Sequence, residues 1–371
     1  MKTAILSINL HTRKLNYGAV LHSWVFQRLI GARGDVERCD VIDYLPAALE
    51  GVDLKRQFME KASLLHPGDW LRRRRQTAAF ARRNEAFERF FREHMRVTPE
   101  RYTAETIQMA RLPYDAVFFE SDVIWSPTYF RGDFDPVFFG AADSMRGLRK
   151  IAYAASMGQA RLDAAQRARL RELLRWPDHI SLRERYAAGI VRGLTDKPVA
   201  DVLDPTLLAE PGDFDAITAP GRVGGGYLLV YFPTHVDPAL LEIAVERAGA
   251  RGLQLVEVSN YFAPGPKRRV IADAGIEEFL GLVRGAEAVY CNSLHGVCLS
   301  ILFHRDFYAF DRRGGGDKYR DLCGRFGLED RFVEAGGFRE AAPVDWAAVD
   351  ALRQGEKRRS LEWLDAAITQ G

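Results

Sequence analysis

Short apolar runs of strand length alternate along this chain with stretches of helical periodicity, and the alternation breaks once, in a glycine-rich gap. Residues 4–10, 36–42, 116–119, 151–155, 180–182 and 199–203 have the length and the β-branched or aromatic content of strands. Between the first two, residues 19–30 place Leu21, Val25 and Leu29 on one helical face and stop at Gly31, a C-cap signal. Strand, loop, helix, strand is the pattern of a parallel sheet. Residues 212–226 hold Pro220 and Gly221, Gly224, Gly225 and Gly226 with almost no apolar periodicity, and read as a linker. Beyond them, strands over 227–232, 253–258, 288–291 and 307–310 alternate with helices over 238–250, 276–284 and 296–303, and a last helix covers 344–368. The expected fold class is α/β. Two βαβ domains, 1–211 and 227–343, are joined by 212–226, and the C-terminal helix of 344–371 returns toward the first domain.

Composition narrows the function classes. With 47% hydrophobic and 27% charged residues, 371 residues can bury two ordinary cores and are not a disordered chain. Lys+Arg 52 against Asp+Glu 50 leaves a net charge of +2, too little for a protein whose main task is coating nucleic acid. Cys39, Cys291, Cys298 and Cys323 are widely spaced with no Cys-x-x-Cys pair, which argues for a reducing compartment and against a zinc knuckle. His11, His22, His179, His235, His295 and His304 form no ligand spacing, so no metal is expected. Neither a secretory signal nor 18 consecutive apolar residues is visible, and the expected location is cytoplasmic.

One segment departs from the alternation. Between Arg72 and Arg96 nine arginines face three glutamates, with Phe80, Phe87, Phe90 and Phe91 interleaved. A solvated helix pair with an aromatic inner face accounts for this pattern. The alternative is a surface that meets anionic membrane lipid or a diphosphate-bearing acceptor.

Ligands on parallel sheets bind beyond the carboxyl ends of the strands, so the loops there carry the candidate residues. After the first strand, Asn16 and Tyr17 precede Gly18 and a helix whose free N–H groups suit an anion or a carbohydrate, unless the segment is a plain turn. The strand ending at residue 119 is followed by Glu120, Ser121, Asp122 and Trp125. Ser121 and Asp122 either cap the next segment or offer a carboxylate to a sugar hydroxyl, and Trp125 offers a face for the sugar to stack on. Ser293, Leu294, His295 and Gly296 follow another strand and open a helix, a place where a His meets an anion and a Gly lets a ligand approach the backbone. Arg183 emerges at a strand end, either as a fork for a carboxylate or phosphate or as a salt bridge with Glu184 or another acid. Lys318 and Arg320 follow the last strand of the second domain.

Taken in order, six segments make the chain resemble the polysaccharide pyruvyl transferase family. They are residues 16–21 (NYGAVL), 121–127 (SDVIWSP), 152–158 (AYAASMG), 180–184 (ISLRE), 202–208 (VLDPTLL) and 293–296 (SLHG). The resemblance runs from Ile5 to about Arg331. Glu120 stands where a Gly is usual in the family, and Leu294 where an aromatic residue is common.

The resemblance implies a glycosyltransferase-B-like pair of Rossmann-type domains, acceptor side first and donor side second. It also implies transfer of the enolpyruvyl unit of phosphoenolpyruvate, as co-substrate and without a cofactor, onto two hydroxyls of a sugar. The acceptor is often lipid-linked and at the inner face of the membrane. Donor contacts are implied for Arg183 and His295, and less securely for Lys318. The donor's carboxylate and phosphate match a cluster of Arg183, His295, Lys318 and a helix N-terminus. On this reading Ser293, Gly296 and Arg320 belong to the donor side, and Asn16, Tyr17, Ser121 and Trp125 to the acceptor side. His295 is the expected acid and Asp122 the first candidate for the base. A nucleotide-sugar glycosyltransferase of the same architecture and a non-catalytic assembly scaffold are the alternatives.

Overall fold

The computed structural model describes residues 1–12, 15–53, 67–158, 161–233, 238–259, 268–311, 316–334 and 337–369. The expected His235, and the glycines before Gly316 in the loop leading to Lys318, lie outside them. The first sheet comprises β1 (Lys2–Leu6), β2 (Arg38–Leu45), β3 (Val97–Thr103), β4 (Ala116–Glu120), β5 (Arg149–Ala155), β6 (His179–Leu182) and β7 (Val199–Asp201). Their order is β3-β2-β1-β4-β5-β6-β7, with every pairing parallel. The second comprises β8 (Tyr227–Tyr231), β9 (Gln254–Val258), β10 (Arg269–Ile271), β11 (Ala288–Cys291), β12 (Asp306–Phe310) and β13 (Phe332–Val333). Their order is β10-β9-β8-β11-β12-β13, again all parallel.

Helices α1 (Tyr17–Gly31), α2 (Pro67–His94), α3 (Ala164–Leu173), α4 (Arg185–Arg192), α5 (Pro238–Ala250), α6 (Ile276–Arg284), α7 (Leu294–Leu302), α8 (Asp317–Arg325) and α9 (Trp346–Thr369) accompany the sheets. β4 and β8 are buried at every position, as central strands of a sheet covered on both faces must be. Strand order reverses between β1 and β4 in one sheet and between β8 and β11 in the other. Each reversal opens a crevice at the carboxyl ends of its strands.

Three features bring the two crevices together. The largest apolar core belongs to both domains, joining Leu21, Trp24 and Phe26 of α1 to Phe279 of α6 and to Leu294, Val297 and Ile301 of α7. Part of the stretch read as a linker is packed: Pro211–Ile217 forms a 3-10 helix, and Phe214 sits 5.5 Å from the Trp24 ring and 5.7 Å from the Phe303 ring. Helix α9 returns to the first domain, where Ser360 Oγ accepts from the Leu203 N–H at 2.9 Å and Arg353 donates to the Ala209 carbonyl at 3.0 Å. Two Rossmann-like sheets with a returning terminal helix form the glycosyltransferase-B-like architecture that the resemblance implied.

The basic segment is one helix, α2, and not the expected helix pair, because no Gly or Pro interrupts residues 69–94. Ala79, Phe80, Arg83, Ala86, Phe87 and Phe90 recur at helical spacing and are buried. Arg83 enters the interior with them and donates to the carbonyls of Leu15 and Ser259. The side chains of Arg72 and Arg73 lie outside the described residues. Among the described residues, no helix is long and apolar enough to cross a membrane.

Candidate active site

The carboxyl ends of β1, β4, β6 and β7 meet the start of α7, and charged side chains are concentrated there. After β4 the backbone takes two successive left-handed steps, at Ser121 (φ 48°) and Asp122 (φ 46°). For residues that are not glycine each such step costs about 1–3 kcal/mol, so the surroundings must fix both. Ser121 Oγ donates to Asp204 Oδ2 at 3.0 Å, and the Asp122 carboxylate lies between His22 Nε2 (3.9 Å) and Arg183 Nη2 (3.7 Å).

Arg183 is the hub of this network. Its Nε donates to Glu184 at 3.1 Å, and its Nη1 donates to Asp204 at 2.9 Å and to Ser121 Oγ at 3.2 Å. The side chain is 3% exposed. It therefore stands as the salt bridge that the sequence left open as the alternative, not as a free fork aimed into a cleft. Asp204 and Asp122 resist the cost of burial because the Arg183 and His22 cations hold both carboxyls well below the usual carboxylate range.

His295 is carried by the first turn of α7, whose N-cap Ser293 accepts from the Gly296 N–H at 3.3 Å. It crosses to the first domain and lies against α1. A Cβ on Gly18 would come within 2.1 Å of His295 Nδ1, so only glycine fits there. One helical turn on, the His22 ring is stacked on His295 with centroids 5.2 Å apart and planes 20° from parallel. His295 Nε2 is 3.5 Å from Asp204 Oδ2, is buried, and has no hydrogen-bond partner among the described residues. Burial pushes its imidazole below the ordinary value. Asp204 opposes that shift, while the charges of His22 and Arg183 reinforce it.

His22 is the reverse case. Burial alone would lower it, but Glu120, 2.7 Å from Nδ1, and Asp122 outweigh burial and raise it to about 10. At neutral pH the site therefore pairs a charged His22 with an uncharged His295. Substituting Gly18→Ala is expected to push His295 off this stack, with an overpacking cost of about 1–3 kcal/mol. Denaturant unfolding measures the cost, and an unchanged midpoint would refute the close packing.

Several expected site residues lie elsewhere or act otherwise. Trp125 is fully buried, donates to the Phe138 carbonyl at 3.0 Å and stacks on Phe139, so it offers no face to a sugar. Tyr17 is an interdomain contact: its hydroxyl donates to the Ala274 carbonyl, its ring stacks on Phe279 at 4.0 Å, and Arg83 covers it. Asn16 caps α1, accepting from the Gly18 N–H at 3.1 Å. Gly296 is required by packing, since a Cβ would come within 2.9 Å of Cys291 Sγ. Arg320 is directed to Glu334 and over the Phe332 ring, away from the cluster.

Lys318 lies closer. With Arg183, Asp204, Leu294, Asp321 and Arg325 it lines a small cavity beside the cluster. Sequence reasoning missed His22, Glu120, Asp204 and Arg325. The last is buried and donates to the Arg183 carbonyl at 3.1 Å, binding α8 to the end of β6. Among the described residues, no group of three or more His, Cys, Asp or Glu side chains is arranged to hold a metal ion.

Among solved structures, the chain is similar to the UDP-GlcNAc 2-epimerase of Methanocaldococcus jannaschii in complex with UDP-GlcNAc and UDP. That likeness is at 11% identity, over 100% of this chain and 94% of that one, with a TM-score of 0.43. It is similar to S. aureus MnaA with UDP at 8% identity, over 98% and 90%, with a TM-score of 0.47. It is similar to E. coli ADP-heptose lps heptosyltransferase II at 13% identity, over 100% and 99%, with a TM-score of 0.38. No curated protein sequence matches it. The family model for polysaccharide pyruvyl transferase does match, over residues 16–314. That span runs from the cap of α1 past β12 and takes in every charged group of the His295 cluster except those of α8 and α9, and on it the chain belongs to the polysaccharide pyruvyl transferase family.

Proposed function

We propose that the protein transfers the enolpyruvyl unit of phosphoenolpyruvate onto two hydroxyls of a sugar, in a cell-surface polysaccharide or its lipid-linked precursor, and closes a cyclic pyruvate ketal. The observation that carries this reading is His295, a buried imidazole where the crevices of the two sheets meet, with Nε2 3.5 Å from Asp204 and no hydrogen-bond partner among the described residues. The donor is an anion at both ends, and Lys318 with the N–H groups at the starts of α1 and α7 suits its carboxylate and phosphate. Arg183 acts through Asp204, holding the carboxylate that faces His295.

The chemistry needs one proton delivered to the methylene carbon of the donor as a sugar oxygen bonds to the adjacent carbon. Phosphate then leaves, the second hydroxyl closes the ring, and of the two hydroxyl protons one goes to the departing phosphate and one to solvent. An uncharged His295 in the empty site takes up a proton when the negative donor arrives beside it, and then delivers that proton to carbon. Asp122 is ionised and only weakly basic, which suits it to accept a hydrogen bond from the attacking hydroxyl and orient it.

Phosphoenolpyruvate at 100 times its dissociation constant is expected to stabilise the protein by about 2.7 kcal/mol, with a chelator present throughout. Turnover with galactose-, glucose- and mannose-type acceptors should release phosphate together with a ketal product. Stabilisation by a nucleotide sugar and none by phosphoenolpyruvate would overturn the reading.

Trp70 is 64% exposed and Leu71 48%, with the Arg74 guanidinium 5.6 Å from the Trp70 ring, an apolar and cationic surface suited to the headgroup region around a lipid-diphosphate acceptor. Trp70→Glu is expected to reduce sedimentation with anionic vesicles. Equal sedimentation would remove this surface from the reading.

A further inference from the structure

Gly18 and His22 are four residues apart on α1 and so share one stripe of the helix, the stripe on which the His295 ring lies. Under His22 is Glu120, the last residue of β4, with a fully buried carboxylate. One of its oxygens is 2.7 Å from His22 Nδ1, and the other accepts from Ser23 Oγ at 2.7 Å. Asn9 Nδ2 in turn donates to Ser23 Oγ at 3.0 Å, so the carboxylate is fixed from two sides. Among the described residues, no lysine or arginine forms an ion pair with Glu120, and His22 is its cationic partner.

A carboxylate removed from water keeps its charge only beside a compensating one. The opposite face of His22 is open to His295. The pair therefore presents a fixed cation to the back of the ring that the reaction uses.

We propose that Glu120 and His22 are positioning residues: held by Glu120 and Asp122, the His22 cation backs the facing His295 ring and adds to burial in keeping it free of a proton until an anionic donor enters. This inference rests on the reading of His295 as the proton donor to phosphoenolpyruvate. The proton comes from solvent as the donor binds and leaves on the methylene carbon, so the pair itself is unchanged over the cycle. The groups facing His22 are Glu120 at the end of β4, Asp122 in the turn after it, Ser23 on its own helix and His295 on α7. Asp204 and Arg183 face His295 from beyond, one attracting a proton to it and the other repelling one.

The test is a histidine-resolved NMR titration of the donor-free protein, with ring nitrogens labelled. In the unaltered chain His22 should remain an imidazolium up to about pH 10, and His295 should titrate below the ordinary imidazole value. In the double variant His22→Gln/Glu120→Gln, two amides keep a hydrogen bond without charge, and the His295 midpoint should rise by roughly half to one pH unit, because the near cation and the carboxylate behind it leave together. That is the scale of an ion pair removed with its positive end about 5 Å from the ring and its negative end farther away.

A His22 that titrates near its ordinary value in the unaltered protein overturns the proposal, whether or not the variant folds. So does a His295 midpoint that is the same in both proteins. Calorimetry of phosphoenolpyruvate binding in buffers of different ionisation heat adds a second measurement. Proton uptake near pH 7 should accompany binding to the unaltered protein and shrink in the double variant. Absence of binding would count against the donor, while the ring titrations would still decide the role of the pair.

Discussion

Replacing His295 by glutamine is expected to lower turnover by about 10²- to 10⁴-fold, the usual contribution of a positioned general acid, with the fold intact. The amide is close in length, can still donate a hydrogen bond toward Asp204, and fits against Gly18, so donor binding should weaken far less than kcat. It cannot carry a proton to carbon. The informative comparison is kcat against the phosphoenolpyruvate-induced rise in thermal midpoint, measured on the same preparation. Turnover within tenfold of the unaltered enzyme would take the acid role from His295 and leave the family membership standing.

The second large effect concerns stability. Arg183→Met removes the guanidinium that Glu184 and Asp204 share at 3.1 and 2.9 Å and that Asp122 faces at 3.7 Å. Breaking a buried ion pair from one side costs about 3–5 kcal/mol, because the carboxylates left behind stay out of water without a partner. Arg183→Lys should recover part of the loss, since one ammonium cannot reach three acids as a planar fork does.

The sign with pH follows from the direction of the carboxyl shifts. Asp122 and Asp204 are depressed in the folded protein, so their stabilisation is present above the ordinary carboxyl range and is lost as pH falls through their lowered values. The deficit of Arg183→Met should accordingly be largest near pH 7 and shrink as the pH falls below about 4, where its unpaired carboxylates take up protons. Urea midpoints at a series of pH values check this, and a deficit independent of pH would place the damage in packing.

Most strands were legible because buried parallel strands must be continuous apolar runs, and residues 116–119, 151–155 and 227–232 are such runs. β3 was not. It lies at the sheet edge with half its side chains toward water, so Val97–Thr103 carries Pro99, Glu100 and Arg101 and has no apolar run to see. β13, with two residues, is too short for any periodicity.

The site was legible where a motif sits at a strand end, as with Asp122, Arg183, Ser293 and His295. It was illegible where a charge is buried on an otherwise apolar helix face: His22 stands between Leu21 and Ser23 and looks like one more core position. What could have exposed it is its spacing of four from Gly18, together with Glu120 at the end of an apolar strand, two buried charges that need each other. The aromatic residues misled in the opposite direction. Tyr17 and Trp125 occupy loops where a sugar platform is plausible, but Phe279 and Phe139, remote in sequence for Tyr17 and near for Trp125, absorb their faces.

The apolar core that spans both sheets bears on how such a chain changes through descent and in the laboratory. Two-sheet enzymes invite chimeras, in which one half is exchanged for that of a relative to alter what is recognised. Here a graft cut in the glycine-rich stretch would sever Leu21, Trp24 and Phe26 from Phe279, Leu294 and Val297, and would part His295 from the glycine that makes room for it. The heritable module is therefore not either half but the seam between them, and a working hybrid must inherit α1, α6 and α7 from the same parent.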